Sequence, residues 1–417
     1  MYGTKMNILP LVLSTVGYNI GSSKLYSTPF NIVTENGVRD AYGFRDANWG
    51  DLSIFQGDYI NFGYWQNISL SQTLTQNDRI NSSAALYKYV ISKLNILKND
   101  TVLELGCGRA VGMLDAFEYI DMKKIIGIDI TDAQIERANT KKERAQGKNI
   151  LENLEAENLK QSLDFLEKKW ELTLVDIKNE KKEFRQEIST FNQRIESLEN
   201  KQKIQRLIEP IELSDSNIKK EINTFQQEWT FVTKKDLSEN RKSIDQTIER
   251  TVEMARKISS TELLVASAYS TGLESHSVNK IYSVEVLQHI EDFTSLANEI
   301  KRIMTPDGIF SFCAHLSTNQ FGYNKLRQDG LRLDEIEILA PVDEVVKAFQ
   351  GRGLNVNYHS IGEFVFEGYE RWITQIQTSA ITSHNIYNAY KSEYIDYYVF
   401  IIENVDNVGM CYARDEL

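Results

Sequence analysis

Two glycines and one aspartate form the clearest candidate for a ligand-binding site in this sequence. Residues 102–108, VLELGCG, run from an apolar stretch into a glycine turn, and Asp129 ends the next apolar stretch. Glycine at positions 106 and 108 lets the backbone approach a ligand closely, because no Cβ atom obstructs it. A carboxylate at position 129 can accept both hydroxyl groups of a ribose. This pattern predicts a site for a ligand that carries a ribose.

The glycine turn differs from the turn of dinucleotide-binding proteins. Their fingerprint is G-x-G-x-x-G, with glycine or alanine in the last position. Gly106 and Gly108 fit the first two positions, but Val111 stands in the last one and Gly112 follows one residue late. The turn is therefore a poor NAD fingerprint.

Strands that alternate with helices must position these residues. Residues 101–105 and 124–129 are short apolar stretches typical of buried strands, and a helical pattern separates them. This strand–helix–strand order predicts a parallel sheet covered by helices. Helical spacing predicts a helix over 80–97, and residues 1–80 are predicted to be an N-terminal arm or lid.

The α/β pattern is interrupted and resumes at residue 262. We expect further strands over 263–266, 280–284, 309–313 and 354–358, and further helices over 296–304 and 342–349. A turn is predicted at 306–308, and the strand at 354–358 is predicted to close the series. The α/β domain therefore comprises residues 81–145 and 260–417.

Residues 146–259 are predicted to be an inserted helical hairpin. Apolar residues recur at seven-residue spacing, which is typical of a coiled coil; they are Trp170, Ile177, Phe184, Phe191 and Leu198, with Leu174, Ile188 and Ile195 four residues after three of them. Pro210 predicts a turn near 209–216, and a second helical pattern follows. Two helices joined there form an antiparallel coiled coil. The alternative is that both helices lie on the surface of the α/β domain.

Four motifs in order resemble class I S-adenosylmethionine-dependent methyltransferases. They are VLELGCG at 102–108, IGIDITDAQIERA at 126–138, NKIYSVEVLQHIED at 279–292 and EIKRIMTPDG at 299–308. The resemblance implies an α/β, Rossmann-like fold with a mostly parallel seven-stranded sheet, and S-adenosylmethionine as the cofactor. Within this family, the sequence most resembles the branch that acts on small or lipid-like molecules. It is distantly similar to the cyclopropane fatty acid synthases.

The resemblance also implies roles for individual residues around the glycine turn. Gly106, Cys107 and Gly108 would pass under the methionine part of the cofactor, and Glu104 would support that turn. Asp129 would bind the ribose, where a further contact is expected from Gln134; Ile130 would pack on the adenine.

Two further segments receive roles from the resemblance. Ser267 and Ala268 stand where relatives often have Asp-Ala beside the adenine, so a serine hydroxyl or a backbone group would replace the carboxylate. Residues 61–65, NFGYW, are similar to the Gly-Tyr-Trp of relatives whose N-terminal arm folds over the cofactor. Tyr59 and Tyr64 are therefore expected to line the site.

Methyl transfer needs a general base only where the acceptor must lose a proton. His289 and Glu285 are the ionisable groups expected at the carboxyl edge of the sheet, and both are candidate catalytic residues. The alternatives are that His289 caps the following helix and that Glu285 contacts the cofactor. In cyclopropane fatty acid synthases a glutamate helps to hold a bicarbonate base, and Gln288 stands in its place here. Ordinary transfer to O, N or an activated carbon is therefore favoured.

Aromatic residues after the strand at 354–358 allow two interpretations. Phe364, Phe366, Tyr369 and Trp372 would either wall an apolar substrate pocket or belong to an ordinary core. Spacing alone does not separate the two.

Charge and cysteine content limit the possible partners and location. The 417 residues include 59 Asp and Glu against 47 Lys and Arg, a net charge of −12. Nucleic-acid binding needs a basic surface, so we expect no nucleic-acid partner. No apolar stretch reaches the roughly 18 residues that span a membrane. The three cysteines suggest neither a disulfide framework nor a metal site, and we expect a cytoplasmic protein.

Two functions remain open from the sequence. The first is methyl transfer to a small or lipid-like acceptor, with the hairpin serving homo-oligomerisation or docking of a protein partner. The second is a protein-directed methyltransferase or a cofactor-binding scaffold that is recruited through the hairpin. Residues 141–260 hold 24 basic and 23 acidic side chains, which suits a solvated coiled coil.

Overall fold

The computed structural model describes residue 39 and residues 53–117, 119–196, 238–328, 339–376 and 381–404. It divides into two compact units. The first comprises Met1–Ala145 and Arg256–Leu417, and the second comprises Gln146–Ala255. We describe each unit separately.

A seven-stranded sheet forms the centre of the first unit. Its strands are β1 (Thr101–Leu105), β2 (Lys124–Asp129), β3 (Thr261–Val265), β4 (Val278–Val284), β5 (Met304–Ser317), β6 (Leu354–Ser360) and β7 (Ile395–Asn404). Their order is β3-β2-β1-β4-β5-β7-β6. Neighbours from β3 to β5 pair in parallel, whereas β7 runs antiparallel to both β5 and β6. The predicted mostly parallel seven-stranded sheet is confirmed.

Helices connect and cover the strands. Those of the first unit are α1 (Gln76–Ser92), α2 (Val111–Ala116), the start of α3 (Asp132–Glu196), α5 (Phe293–Ile303), α6 (Gln320–Gln328), α7 (Val342–Gln350), α8 (Gly362–Gln375) and α9 (Ile381–Lys391). Helix α4 covers residues 238–259. The apolar faces of α5 and α7 share a core with side chains of β1, β4 and β5. Leu103 and Ile281 face this core, and Glu104 and Tyr282, their neighbours in sequence, face the opposite side.

Capping side chains explain why two helices begin earlier than predicted. Helix α1 was expected over 80–97 but starts at residue 76, because Thr75 and Asp78 form a capping box. Helix α5 was expected over 296–304 but starts at residue 293, because the Asp292 side chain accepts from two backbone N–H groups of the first turn.

The residues predicted to form a turn, 306–308, lie within strand β5. Val278 pairs with Met304 and Lys280 pairs with Ile309, so the intervening residues form an irregularity within one long strand. The strand therefore begins before the expected range of 309–313 and also extends beyond it.

The expectation that the strand at 354–358 closes the series is wrong. Strand β7 follows it in sequence and lies between β5 and β6 in the sheet. Its sequence, IDYYVFIIEN, is rich in aromatic and β-branched residues. Seven of its ten residues are buried, because β5 and β6 flank it on both edges.

The described residues of the second unit form two helical segments, 146–196 of α3 and 238–255 of α4. Polar side chains join them in antiparallel register: Asn149 donates to the Thr251 carbonyl at 2.7 Å, and Lys160 and Asp245 form an ion pair at 2.6 Å. Arg241 pairs with Asp164 at 2.5 Å. Among the described side chains of the unit, Leu151, Phe165 and Leu172 are more than half exposed.

The remaining predictions for the hairpin lie outside what the structure describes. The predicted turn near 209–216 lies outside the described residues. The structure also does not describe the side chains of the heptad series from Trp170 to Ile195. The coiled coil therefore stays a prediction. No helix among the described residues is long and apolar enough to cross a membrane.

Candidate active site

A cavity lies at the carboxyl ends of four neighbouring parallel strands. The loops after β1, β2, β3 and β4 supply most of its wall, and the arm before α1 supplies Asp58, Tyr59 and Ile60. Strand order reverses between β1 and β4, so the cavity occupies the topological switch point where open α/β sheets bind ligands. Eleven of the predicted site residues line it: Tyr59, Gly106, Cys107, Gly108, Asp129, Ile130, Gln134, Ser267, Ala268, Glu285 and His289.

The glycine turn takes a backbone conformation that favours glycine. Gly106 and Gly108 have φ of 69° and 49°, and Ala110 follows at 59°. A Cβ atom at Gly106 would overlap the Val286 side chain, so this glycine is needed for packing between two loops. A Cβ atom at Gly108 would meet nothing. Both glycines line the cavity, so close approach of a ligand stays a prediction for both, and Gly106 has a packing role in addition.

Asp129 is held in place by three hydrogen bonds. Its Oδ2 accepts from the Gly108 backbone N–H at 2.9 Å, and its Oδ1 accepts from the Thr131 backbone N–H and hydroxyl at 2.9 and 2.7 Å. Burial raises the pKa of this carboxyl, and the bonds from Thr131 and Gly108 oppose the rise. The carboxylate is thus oriented before any ligand binds.

Two buried polar atoms of the cavity wall are suited to a ligand with hydroxyl or amine groups. Among the described residues, Gln134 Oε1 and the Tyr59 hydroxyl have no hydrogen-bond partner although both atoms are buried. Buried polar atoms normally find partners, so each of them favours a polar ligand at this position. Together with Asp129 and the open space at Gly108, they fit the ribose and amino-acid parts of S-adenosylmethionine.

The loop after β3 forms the end of the cavity where the adenine is expected. The Ser267 hydroxyl accepts from the backbone N–H of Tyr269 at 3.0 Å, which fixes a tight turn. Ala268 and Ile130 line the cavity without bulky polar groups. The Tyr269 hydroxyl accepts from the backbone N–H groups of Glu291 and Asp292 at 3.1 and 3.2 Å.

Glu104 lies beneath the glycine turn and is not part of the cavity wall. It is almost fully buried, and its Oε2 accepts from the Tyr282 hydroxyl at 2.9 Å. Burial raises its pKa to about 8, although the bond from Tyr282 opposes the rise. This carboxyl therefore carries a proton at neutral pH.

Asp58 fastens the arm to the rim of the cavity. Its Oδ1 accepts from Arg109 Nη1 at 2.7 Å and its Oδ2 accepts from Lys141 Nζ at 2.7 Å. Burial opposes ionisation of Asp58, but the two cations outweigh it and lower the pKa. One carboxylate thus links the arm to the glycine turn and to α3.

Tyr64, predicted to line the site, points elsewhere. Its ring stacks on Tyr89 at 4.7 Å and its hydroxyl donates to Gln66 at 2.7 Å. The reason is that the Tyr64 backbone N–H is bound to the Ser82 carbonyl, which turns this part of the arm against α1. Of the two predicted tyrosines, Tyr59 lines the cavity and Tyr64 does not.

The aromatic residues of α8 belong to the core. Phe366, Tyr369 and Trp372 are buried, and none of the four aromatics lines the cavity. The Tyr369 ring packs against Phe62 of the arm at 4.5 Å. Of the two interpretations, a substrate wall and a core, the structure favours the core.

Glu285 combines several features of a catalytic group. Its Oε1 accepts from the Phe62 backbone N–H and from the Tyr397 hydroxyl, both at 2.7 Å, and nothing among the described residues donates to Oε2. Its φ is 56°, a conformation rare for residues other than glycine. Burial raises its pKa to about 7, although nearby His315 and the two hydrogen bonds oppose the rise.

Two other candidates occupy the same wall. His289 ends a short 3₁₀ turn after β4, and its backbone N–H donates to the Val286 carbonyl at 3.0 Å. Burial raises the pKa of the Cys107 thiol well above its ordinary value, so it stays protonated at neutral pH. Gln288 donates to the Glu285 carbonyl at 2.9 Å.

Among the described residues, no group of three or more His, Cys, Asp or Glu side chains could hold a metal ion.

Several residues of the site were not predicted from the sequence. They are Asp58, Tyr87, Arg109, Lys141 and Tyr397. Arg109 directly follows the glycine turn, which could have drawn attention to it. The others contact the site from distant parts of the chain, and no local pattern marks them.

The family of this chain follows from a sequence comparison. A family model described as a methyltransferase domain matches residues 84–362, which is more than half of the chain. No curated protein matches the sequence. The chain therefore belongs to the methyltransferase-domain family and is a class I S-adenosylmethionine-dependent methyltransferase, as the motifs indicated.

Solved structures share the fold at low sequence identity. Geranyl diphosphate C-methyltransferase from Streptomyces coelicolor A3(2), solved with Mg²⁺, geranyl diphosphate and S-adenosyl-L-homocysteine, has a TM-score of 0.51 at 10% identity, over 91% of this chain and 99% of that one. The [4+2]-cyclase SpnF has a TM-score of 0.50 at 10% identity, over 89% and 97%. These likenesses establish the fold alone, since the two proteins are named for different reactions.

Proposed function

We propose that this chain transfers the methyl group of S-adenosylmethionine to an O, N or activated C atom of a small, lipid-like acceptor, and that Glu285 is the general base. The proposal rests on the hydrogen bonding and the raised pKa of the Glu285 carboxyl. One of its oxygens is fixed by two donors, the other carries no hydrogen bond among the described residues, and its pKa is about 7. A base is most effective when its pKa lies near the working pH.

We assign the cofactor to the residues that line the cavity. Asp129 and Gln134 would bind the ribose, Gly108 and the Tyr59 hydroxyl would contact the methionine part, and Ile130, Ser267 and Ala268 would surround the adenine. Gly106 and Cys107 would pass beside the methionine part with Gly108, and Glu104, which lies beneath the turn, would support it. The bound cofactor supplies an electrophilic methyl group, so the protein must orient the acceptor and exclude water.

The arm supports this task because it covers the cavity. Asp58, Tyr59 and Ile60 line it from the arm side, and Asp58 is held by two cations. Tyr59, which is buried, would help to exclude water from the site. Glu285 would then remove the acceptor proton through its Oε2, and His289 on the same wall would position the acceptor or relay that proton.

The chemistry of the wall near Glu285 favours an apolar acceptor. Ile60, Val286 and Ile290 line the cavity beside it. Geranyl diphosphate, the molecule named with the similar structure from Streptomyces, has an apolar chain and is a reasonable first acceptor to test. With no candidate metal site among the described residues, an acceptor without diphosphate should be tested beside it.

The proposal is tested by separating cofactor binding from proton removal. We expect Asp129→Ala to weaken S-adenosylmethionine binding in calorimetry by about tenfold or more, since it removes the ribose partner. Glu285→Gln should bind the cofactor normally but lose turnover by about 100-fold or more. Equal cofactor affinity of the Asp129→Ala and unchanged proteins would refute the site.

The alternative function is a protein-directed methyltransferase or a cofactor-binding scaffold, with the second unit as the docking element. Exposed Leu151, Phe165 and Leu172 are spaced at multiples of seven residues, which supports a helical surface for a partner. The same surface supports homo-oligomerisation in the cytoplasm, which we favour because it is compatible with a small acceptor.

A further inference from the structure

One peptide group of the arm lies between a buried cation and Glu285. Arg79 Nη2 donates to the carbonyl of Asn61, and the N–H of Phe62, which belongs to the same peptide group, donates to Glu285 Oε1 at 2.7 Å. A peptide group is conjugated and planar, so a charged donor at its oxygen polarises the N–H at its other end. The three groups therefore form a continuous hydrogen-bonded series.

Arg79 is buried in a way that needs an explanation. Its side chain is 0% exposed, and all its hydrogen-bond acceptors among the described residues are neutral. A buried guanidinium without a contacting carboxylate is costly. Its other neighbours are the Ile54 carbonyl, the Ser82 and Ser83 hydroxyls and the rings of Trp65 and Tyr369.

The charge of Glu285 offsets the charge of Arg79 across the peptide group. Burial lowers the pKa of Arg79 to about 10, and Tyr369 and Glu285 oppose this change. In return, Arg79 favours the ionised form of Glu285. The two groups thus stabilise each other's charged state without touching.

We propose that Arg79 is a positioning residue for Glu285, acting through the peptide group that joins Asn61 and Phe62. This inference rests on the proposed role of Glu285 as the base. Arg79 lies outside the cavity wall, so it would contact neither the acceptor nor the cofactor. Its task is to hold the arm so that the Phe62 N–H fixes one carboxylate oxygen and leaves the other for the acceptor.

A consequence is that docking of the arm and ionisation of Glu285 favour each other. Hydrogen bonds to a charged acceptor are stronger than those to a neutral one, so the ionised carboxylate binds the Phe62 N–H more tightly. By thermodynamic linkage, the docked arm favours ionisation to the same extent. The base is therefore formed where the arm has closed over the site.

Other groups face Glu285 and must be separated from Arg79 in any test. They are Tyr397 on β7, His315 and Cys313 on β5, and Tyr87 on α1. Tyr397 donates to the same oxygen as Phe62 but contacts no part of the arm through that bond. Tyr397→Phe is therefore a matched control that weakens the carboxylate's hydrogen bonding without loosening the arm.

The first experiment titrates the Glu285 carboxyl directly, without any methyl donor. Infrared difference spectra over pH would be recorded for the unchanged protein, Arg79→Met, Arg79→Lys and Tyr397→Phe, with Glu285→Gln identifying the signal. We expect the midpoint to rise by about one pH unit in Arg79→Met, and by less in Arg79→Lys, which keeps the charge. An unchanged midpoint in a folded Arg79→Met protein would overturn the proposal.

A second experiment does not depend on the stability of the Arg79 variants. Hydrogen exchange of the peptide over residues 54–65 would be followed from pH 6 to 9 in the unchanged protein and in Glu285→Gln, after correction for intrinsic exchange. We expect protection to increase several-fold through about pH 7 only in the unchanged protein. Helix α7, which lies away from the cavity, serves as the internal control. The same pH dependence in both proteins would overturn the proposal.

Neither experiment uses turnover, so failure of this inference differs from failure of the proposed function. If the unchanged protein does not bind S-adenosylmethionine in calorimetry, the proposed function fails whatever the carboxyl titration shows. If binding and turnover are as proposed but the midpoint of the Glu285 titration is the same with and without Arg79, only the inference about Arg79 fails.

Discussion

Glu285, the proposed base, has a backbone conformation that is unfavourable for a glutamate. A glutamate with φ of 56° is held in a conformation that ordinarily costs about 1 kcal/mol or more. The surrounding structure compensates, because the backbone N–H of Glu285 is bound to the Cys313 carbonyl at 3.1 Å and its own carbonyl accepts from Gln288. This conformation turns the carboxyl from the end of β4 toward both the arm and the cavity.

A second buried carboxyl, Glu104, makes a prediction about stability and pH. Its pKa is about 8 in the folded protein against 4.5 ordinarily, so the folded state keeps a proton that the unfolded chain loses. The free energy of unfolding should therefore fall as pH rises from about 4.5 to about 8, by up to roughly 1.4 kcal/mol per pH unit. Glu104→Gln should reduce this slope and be more stable than the unchanged protein at pH 9.

Urea unfolding at several pH values measures this effect. Glu344→Gln, which changes an exposed glutamate of α7, is the control and should leave the slope as it is. Parallel slopes for Glu104→Gln and the unchanged protein would show that Glu104 ionises normally when folded.

Local motifs explain which site residues could be predicted from the sequence. Gly106, Gly108, Asp129 and Glu285 lie at strand ends, where the order of strands alone brings them to one edge of the sheet. Arg79 could not be predicted in its role, because its contacts depend on how the arm folds back on α1. An arginine in a helical pattern normally indicates a solvated face, and here it is fully buried.

At the scale of elements, we expect the arm and its ion-paired Asp58 to control access to the site. Asp58→Asn removes the charge that binds Arg109 and Lys141 but keeps the backbone conformation, since asparagine tolerates the φ of 66° found here. We expect cofactor affinity to fall several-fold and hydrogen exchange over residues 53–65 to increase. Overall stability should change by less than about 1 kcal/mol, because the pair is partly exposed.

The surface pair of Asp343 and Lys347 provides the control for this prediction. It has a similar distance, 2.8 Å, but lies on α7 away from the cavity. Asp343→Asn should leave calorimetry and hydrogen exchange of the arm unchanged. If Asp58→Asn behaves in the same way as Asp343→Asn, the anchor does not hold the arm.

The sequence predicted most elements of the α/β unit but erred at their ends and after residue 358. Capping by Thr75 and Asp292 shifted two helix starts, since one side chain decides where a helix begins. Strand β7 was missed although its composition is typical of a strand. Its place in the sheet could not be read from sequence order, because it inserts between two earlier strands.

At the scale of the whole molecule, the two units allow their roles to be separated. Asn149 and Thr251 are joined at 2.7 Å, so a short linker can replace residues 150–250. The cut spares Lys257, whose Nζ donates to the carbonyls of Phe117 and Ile120 and so belongs to the first unit. We expect cofactor binding and turnover of a small acceptor to survive, while self-association is lost.

Sedimentation and turnover of the shortened protein measure these two outcomes. Leu151→Gln with Phe165→Gln in the full chain is the companion variant, since both side chains are exposed and their loss should not affect folding of the first unit. Loss of turnover in a folded shortened protein would instead favour a role of the second unit in substrate recruitment.

The position of β7 has a consequence for the order of events during protein synthesis. Among the described strands, β6 pairs with the sheet only through β7, and β7 is the last of them to leave the ribosome. Until then β5 and β6 both present open edges to the cell, and Glu285 lacks its Tyr397 partner. We therefore expect a nascent chain of this design to lack the complete setting of its proposed base, and to be prone to association, until β7 pairs with β5 and β6; a chaperone would be most useful in that interval.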